Sequence, residues 1–191
     1  IMGLWCAFCL KLFLSVVIKI EGKSNIIKNE KFFIACSHQS MFETFYLQTI
    51  FDGPIFILKK ELLKIPVFGS YLKKIGAISI NRNKVVKENL GFIEQISEVA
   101  KKTNRPILIF PQGTRTEPNE FTNFKKGVSR IYNVLNMRCQ PIAINSGNVW
   151  PKNNKLNGNK TITISILPAI DKGIEKKQFL NILEKEIYGE L

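Results

Sequence analysis

Histidine is nearly absent from this 191-residue sequence, and His38 is the single one. The four cysteines offer no zinc site. Cys6 and Cys9 form a C-x-x-C, but they lie in an apolar segment with no second Cys or His pair near enough to complete a tetrahedral set. With Cys36 and Cys139, they read as buried or lipid-facing thiols of a chain in a reducing, cytosol-facing compartment. Fixed-period repeats, low-complexity tracts and long Pro/Gly/Ser linkers are missing, so nothing divides the chain. Its length suits one domain that buries a core without disulfide or metal staples.

Acidic residues are scarce. Fifteen Asp and Glu stand against 28 Lys and Arg, a formal net charge of +13 at pH 7. That balance implies an anionic partner: nucleic acid, an anionic bilayer or a phosphorylated substrate. Charge alone does not choose among them, and many single lysines simply solvate a surface. No nucleic-acid motif is present and the aromatics read as core or membrane residues, which sets nucleic acid aside.

Hydrophobic content is 45% and mean hydropathy is +0.02, yet long apolar runs are also scarce. Only residues 1–20 have the length and apolarity of a membrane element. They lack the basic leading region of a secretory signal, so a retained anchor is expected. Lys11, Ser15 and Lys19 fall four apart and would make one polar stripe on a helix. Such a helix lies in the interface or docks on the domain, in preference to spanning lipid alone. We therefore divide the chain into a membrane-associating helix over residues 1–22 and a globular domain over 23–191. The chain begins at Ile1 and not at a methionine, which leaves open an upstream extension that completes the anchor.

Within the domain, short β-rich runs recur at residues 32–36, 55–58, 77–80, 107–110, 141–144 and 161–167. Helical patterns at 41–50, 85–102, 125–135 and 174–188 alternate with them. This alternation predicts an α/β fold, a single domain with a mainly parallel central sheet flanked by helices.

Two polar clusters follow strands directly: Ser37-His38-Gln39-Ser40 after the first, and Pro111-Gln112-Gly113-Thr114-Arg115 after the fourth. Ligands of open α/β sheets collect beyond the carboxyl ends of the strands, so the two loops can converge on one crevice. A lone histidine is often structural. Here Glu43 follows closely enough to accept a hydrogen bond from one imidazole nitrogen if His38 lies outside the helix, leaving the other nitrogen to take a proton from a hydroxyl. In the second cluster, proline stops the strand, glycine permits close backbone approach, and Arg115 offers a donor fork suited to phosphate.

Together the clusters resemble the glycerolipid acyltransferase family. Its H-x-x-x-x-D motif is matched by HQSMFE from His38 to Glu43, and its FPEGTR motif by FPQGTR from Phe110 to Arg115. Between them, KKELLKIPVFGSYLKKIGAISINR is similar to the family's basic-apolar segment ending in an acidic residue and arginine. FKKG at Phe124–Gly127 and QPIAINSG at Gln140–Gly147 resemble its later motifs. The likeness covers about residues 30–150. Three acidic positions depart: Glu43 and Asn81 each stand for Asp, and Gln112 stands for Glu.

The resemblance implies acyl transfer to the free hydroxyl of lysophosphatidate, with acyl-CoA or acyl-carrier protein as donor and with neither metal nor bound cofactor. It implies His38 as general base, Glu43 as its orienting partner, and Arg82 and Arg115 as binders of the acceptor phosphate. Backbone N–H groups around Gly113 and Thr114 would meet the thioester oxyanion, while Ser37, Gln39, Ser40, Pro111, Gln112, Lys125 and Lys126 support the motifs. The partner would be an anionic phospholipid membrane, at the cytoplasmic face of the inner or plasma membrane. The lysine-rich run from Lys59 to Lys74 reads either as an ordinary helix pair or as a surface resting on anionic lipid. An apolar groove beside His38 is expected for the acyl chain. Two other readings share these motifs: an acyltransferase for another lysolipid, and a lipid-binding relative without turnover.

Overall fold

The computed structural model describes residues 2–80 and 86–191. Its elements are α1 (Met2–Leu14), β1 (Val17–Glu21), β2 (Phe32–Cys36), α2 (Phe42–Ile50), β3 (Ile55–Lys59), α3 (Phe68–Lys74), β4 (Ile78–Ile80), α4 (Val86–Lys102), β5 (Ile107–Ile109), α5 (Gly127–Leu135), β6 (Arg138–Ile144), β7 (Thr161–Ile166) and α6 (Lys176–Gly189). Among the described residues, seven strands form one sheet in the order β1-β7-β6-β2-β5-β3-β4. Every neighbouring pair is parallel except β6 with β7. The expected α/β domain with helices on a mainly parallel sheet is present.

The strand sequences explain the layers. β2, FFIAC, is apolar throughout, as a central strand covered on both faces must be. Successive side chains point to opposite faces. Phe33 and Ala35 enter one core with Ile96 of α4, Tyr132 of α5, and Phe179, Leu183 and Ile187 of α6, the last three spaced one helical turn apart. Ile34 and Cys36 enter the other core with Leu10 of α1 and Phe42 and Leu47 of α2. Tyr132 and Phe179 stack 3.8 Å apart under the first face, and truncating the fully buried Phe33 to alanine would cost about 3–5 kcal/mol.

The first twenty residues are not one helix. α1 stops at Leu14, Ser15 takes a φ of 51°, and residues 17–21 become β1, which pairs with β7 from Val17 opposite Thr161 to Glu21 opposite Ser165. The β-branched run Val16-Val17-Ile18 favours extended backbone, and Ile18 and Ile20 face inward while Val17, Lys19 and Glu21 stay exposed, as an edge strand allows. Lys19 therefore leaves the stripe expected with Lys11 and Ser15. No helix among the described residues is long and apolar enough to cross a membrane. Instead α1 lies against α2. Gly3 permits the approach, since a Cβ there would collide with the Phe45 carbonyl. The other face of α1 is bare, with Leu4, Trp5, Phe8, Leu12 and Phe13 all exposed.

Candidate active site

β2 ends at Cys36 and α2 begins at Phe42, so His38 sits outside the helix on the loop at the carboxyl end of the central strand. That loop is fastened on several sides. Ser37 extends the strand ladder: its N–H donates to the Ile142 carbonyl at 3.0 Å, and its Oγ accepts from the Ile144 N–H at 2.8 Å. The Gly147 N–H donates to Gln39 Oε1 at 3.1 Å. Ser40 Oγ accepts from the Phe42 N–H at 2.9 Å, satisfying one of the free donors at the start of α2. The Thr116 N–H donates to the His38 carbonyl at 2.8 Å and thereby joins this loop to the second cluster.

Glu43 is fully buried beneath the loop. Its Oε1 accepts from the N–H groups of Gln39 and Ser40 at 2.9 and 3.0 Å and from Ser146 Oγ at 2.6 Å. Its Oε2 accepts from the Ser40 N–H and Oγ at 3.1 and 3.0 Å. His38 Nδ1 is 3.9 Å from Oε2, too far for a hydrogen bond. The direct bond expected from the sequence is therefore not made. The carboxylate holds the loop's backbone and faces the imidazole across a gap.

The electrostatics of the imidazole follow burial more than the neighbouring carboxylate. An adjacent carboxylate raises a histidine pKa, but burial wins here. It lowers the His38 pKa from 6.5 to about 3, and the Arg115 guanidinium adds to the fall. Burial likewise raises the Glu43 carboxyl above its ordinary range, opposed by the hydrogen bonds from Ser146, Gln39 and Ser40. The imidazole is thus neutral at physiological pH.

In the second cluster, Pro111 and Gln112 occupy the centre of a tight turn closed by the Gly113 N–H donating to the Phe110 carbonyl at 3.0 Å. Gly113 takes a φ of 77°, which glycine adopts without strain. Its N–H serves this turn and is not a free oxyanion donor, a correction to the pair expected from the sequence. Gln112 is buried beside Tyr188 of α6 and does not line the cavity described next. The Lys125 N–H donates to the Pro111 carbonyl at 2.9 Å and sets the start of α5 against the turn, with Lys125 and Lys126 exposed. Arg82, with its neighbour Asn81, lies outside the described residues.

His38, Thr114, Arg115 and Lys125 share one cavity of about 630 Å³, within the ~300–1,000 Å³ usual for small-molecule sites. Lys59 also reaches it from the end of β3, while Leu58, Leu62, Phe68, Leu72 and Phe92 give it apolar walls. A neutral imidazole, a guanidinium and an oily chamber thus meet at the carboxyl ends of the adjacent strands β2 and β5. The arrangement can deprotonate a hydroxyl, hold an anion and shelter an aliphatic chain. Sequence reading gave Phe110, Thr116 and Ser146 no role of their own. Thr116 borders a motif and Ser146 ends the QPIAINSG run, but only the fold brings them to the His38 loop.

An imidazole, a guanidinium and an apolar chamber thus share one end of an α/β sheet, and comparison with known proteins gives the chain a family. Residues 17–145 match the family described as Acyltransferase, and the chain belongs to it. The chain is similar to the 1-acyl-sn-glycerol-3-phosphate acyltransferase of Pseudomonas aeruginosa, 31% identical over 169 residues, covering 87% of this chain and 65% of that protein. It is also similar to those of Saccharomyces cerevisiae, at 28% identity over 92% of this chain and 59% of the relative, and of Borreliella burgdorferi, at 27% over 96% and 76%. The chain thus spans about three-fifths of the length of the first two of these relatives. In fold it is similar to the crystal structure of the 1-acyl-sn-glycerophosphate acyltransferase PlsC from Thermotoga maritima, with a TM-score of 0.80 at 19% identity over 99% of this chain and 75% of that one.

Proposed function

We propose that this chain transfers an acyl group from acyl-CoA or acyl-carrier protein to the free sn-2 hydroxyl of 1-acyl-sn-glycerol 3-phosphate, giving phosphatidate at the cytoplasmic face of a membrane. The observation that carries this reading is the joint presence of His38 and Arg115 on one apolar cavity. The similar proteins of Pseudomonas aeruginosa, Saccharomyces cerevisiae and Borreliella burgdorferi are 1-acyl-sn-glycerol-3-phosphate acyltransferases, which supports the acceptor.

In the proposed step, the acceptor phosphate rests on Arg115, with Arg82 as a second candidate from the motif pattern. His38 takes the proton of the hydroxyl as its oxygen attacks the thioester carbonyl. The Thr114 N–H is the proposed donor to the developing oxyanion. Collapse expels the thiolate, which recovers the proton from the imidazolium. The low basicity of the buried imidazole keeps it free to accept a proton in the ground state, and the facing Glu43 carboxylate stabilises the imidazolium that forms. The step calls for no metal or bound cofactor.

Membrane contact belongs to the same proposal. The bare face of α1 and the exposed tip at Ile65 and Val67 offer apolar side chains, and Lys59, Lys60, Lys73 and Lys74 are exposed on the segment around that tip. Apolar insertion and attraction to anionic headgroups add. α2 connects the two regions: Gly3 of α1 packs on Phe45, which meets Phe68 and Tyr71 of α3.

The test is thiol release by purified protein given an acyl thioester and competing lysolipids in mixed vesicles. Preferential consumption of lysophosphatidate supports the reading. Preference for a lysolipid lacking a phosphomonoester would reassign the acceptor, and binding without thiol release would make the chain a lipid-binding relative.

A further inference from the structure

The five hydrogen bonds to Glu43 are unequal in origin. Four come from Gln39 and Ser40, which lie within four positions of Glu43 and move with the same loop. The fifth, from Ser146 Oγ, crosses 103 positions and is the shortest at 2.6 Å. Ser146 is fully buried and is itself held: Asn145 Oδ1 accepts from the Thr163 N–H of β7 at 2.7 Å, and the Gly147 N–H donates to Gln39 at 3.1 Å. Gly147 has no room for a side chain without displacement, since a Cβ would lie 3.0 Å from Gln39 and 3.1 Å from Pro118. The Asn145-Ser146-Gly147 turn is therefore a clasp between β7 and the His38 loop.

A glutamate on the first turn of α2 has three side-chain torsions to fix before either oxygen faces the imidazole. Ser146 engages Oε1 and leaves Oε2 turned toward His38 Nδ1 at 3.9 Å. We propose that Ser146 is a positioning residue for the acyl transfer proposed above: its hydroxyl fixes the Glu43 carboxylate so that Oε2 addresses Nδ1 and the Nδ1-protonated tautomer of His38 prevails, leaving Nε2 as the base. The inference rests on that reading for its catalytic consequence, though not for the tautomer itself.

Since His38 is the only histidine, its imidazole nitrogen resonances are assigned without ambiguity in ¹⁵N-labelled full-length protein. In the wild type the proton is expected on Nδ1. Ser146→Ala should move a large share of it to Nε2 and lower kcat about ten- to a hundredfold, as loss of a charge-assisted hydrogen bond warrants, with KM for both substrates unchanged. Ser146→Thr, which restores a hydroxyl, should recover the wild-type tautomer and most of kcat. In a Glu43→Asp background the shorter carboxylate should not reach Ser146, so Ser146→Ala should cost much less there. A purely packing role would lower the melting temperature and leave tautomer and coupling unmoved. A wild-type tautomer in folded Ser146→Ala, or an equal cost in both backgrounds, would overturn the proposal. If the wild type releases no thiol from any donor, the reaction reading fails and the tautomer comparison still decides the role of Ser146.

Discussion

The imidazole of His38 lies flat against the phenyl ring of Phe110, with centroids 3.9 Å apart and planes inclined by 15°. The stack covers one face of the ring with apolar surface, and burial first and the Arg115 guanidinium second oppose protonation of His38. A folded-state pKa of about 3, against 6.5 for an ordinary histidine, has a definite linkage sign. Between those values the unfolded chain binds more protons than the folded one, so stability falls as pH is lowered through the window. Replacing His38 by Gln removes this dependence. Denaturant unfolding of both proteins from pH 7 to pH 4 should show the His38→Gln variant gaining relative to wild type, by at most ~1.4 kcal/mol per pH unit. Parallel curves would mean that the imidazole titrates normally.

In the proposed reaction the same shift sets the pH dependence. A base with an ordinary pKa loses kcat/KM below about pH 6.5, whereas a buried neutral imidazole keeps it. We expect no inflection from His38 near 6.5, and an acid limb where the Glu43 carboxyl takes up a proton, above its usual 4.5 because burial raises it. Neutral Glu43 can no longer stabilise the imidazolium. The pH profile of kcat/KM, with vesicle binding monitored in parallel, checks this; a break at 6.5 that accompanies protonation of the His38 imidazole, read from its own nitrogen resonances, would place the imidazole in water.

Much of this architecture is legible in the chain, and the exceptions have physical causes. FFIAC at 32–36 has no alternative to a doubly covered strand, and the clusters at His38 and Arg115 each follow a strand, so their convergence comes from the sheet order. β1 is hidden because VVIKI continues an apolar helix without a break, and periodicity does not separate the two over so few residues. The carboxylate–imidazole gap was out of reach for another reason. Spacing brings Glu43 near His38, but the carboxylate is drawn to backbone donors at Gln39 and Ser40 and to Ser146 across the sheet. Burial, which decides the sign of the His38 shift, is likewise a property of the fold and not of neighbours in sequence.

Removing the imidazole should be far more damaging than trimming its surroundings. General-base loss costs ~10²–10⁴ in rate, so folded His38→Ala should retain at most about a hundredth of wild-type turnover. Glu43→Asp should be milder than Glu43→Gln, because the aspartate keeps the charge and the glutamine places an amide donor against the N–H groups of Gln39 and Ser40. Thiol release and circular dichroism on the three variants decide the matter, and near-normal turnover by His38→Ala would remove the base from the mechanism.

Membrane contact should separate into two measurable contributions. Trp5, Phe8 and Phe13 are 62%, 54% and 75% exposed, so changing them to serine should leave the fold intact and weaken binding to neutral and anionic vesicles alike. Each lysine near an anionic surface is worth ~1 kcal/mol, roughly fivefold in affinity. Neutralising Lys59, Lys60, Lys73 and Lys74 should weaken binding to anionic vesicles only, and high salt should mimic it. Sedimentation of each variant with vesicles of both compositions is the measurement. Undiminished binding by the combined variant would assign the membrane surface elsewhere.

The acceptor phosphate offers the sharpest test of orientation in the cavity. Arg115 lines the chamber beside His38 with its Nη1 withdrawn from solvent. A guanidinium makes two parallel hydrogen bonds to a phosphate, whereas an ammonium supplies a point charge. Arg115→Lys should keep the field and lose the fork. A charged hydrogen bond is worth roughly 1.5–3 kcal/mol, so KM for lysophosphatidate should rise about ten- to a hundredfold. KM for the acyl thioester should change little, because its carbonyl is assigned to the Thr114 N–H. The His38 pKa should stay low, since burial is the larger cause and the positive charge remains. Saturation curves in each substrate, with the other held constant, resolve the two constants. If Arg115→Lys instead raises KM for the donor and spares the acceptor, the arginine holds the phosphates of CoA or of the carrier's prosthetic arm, and acceptor and donor exchange places around His38.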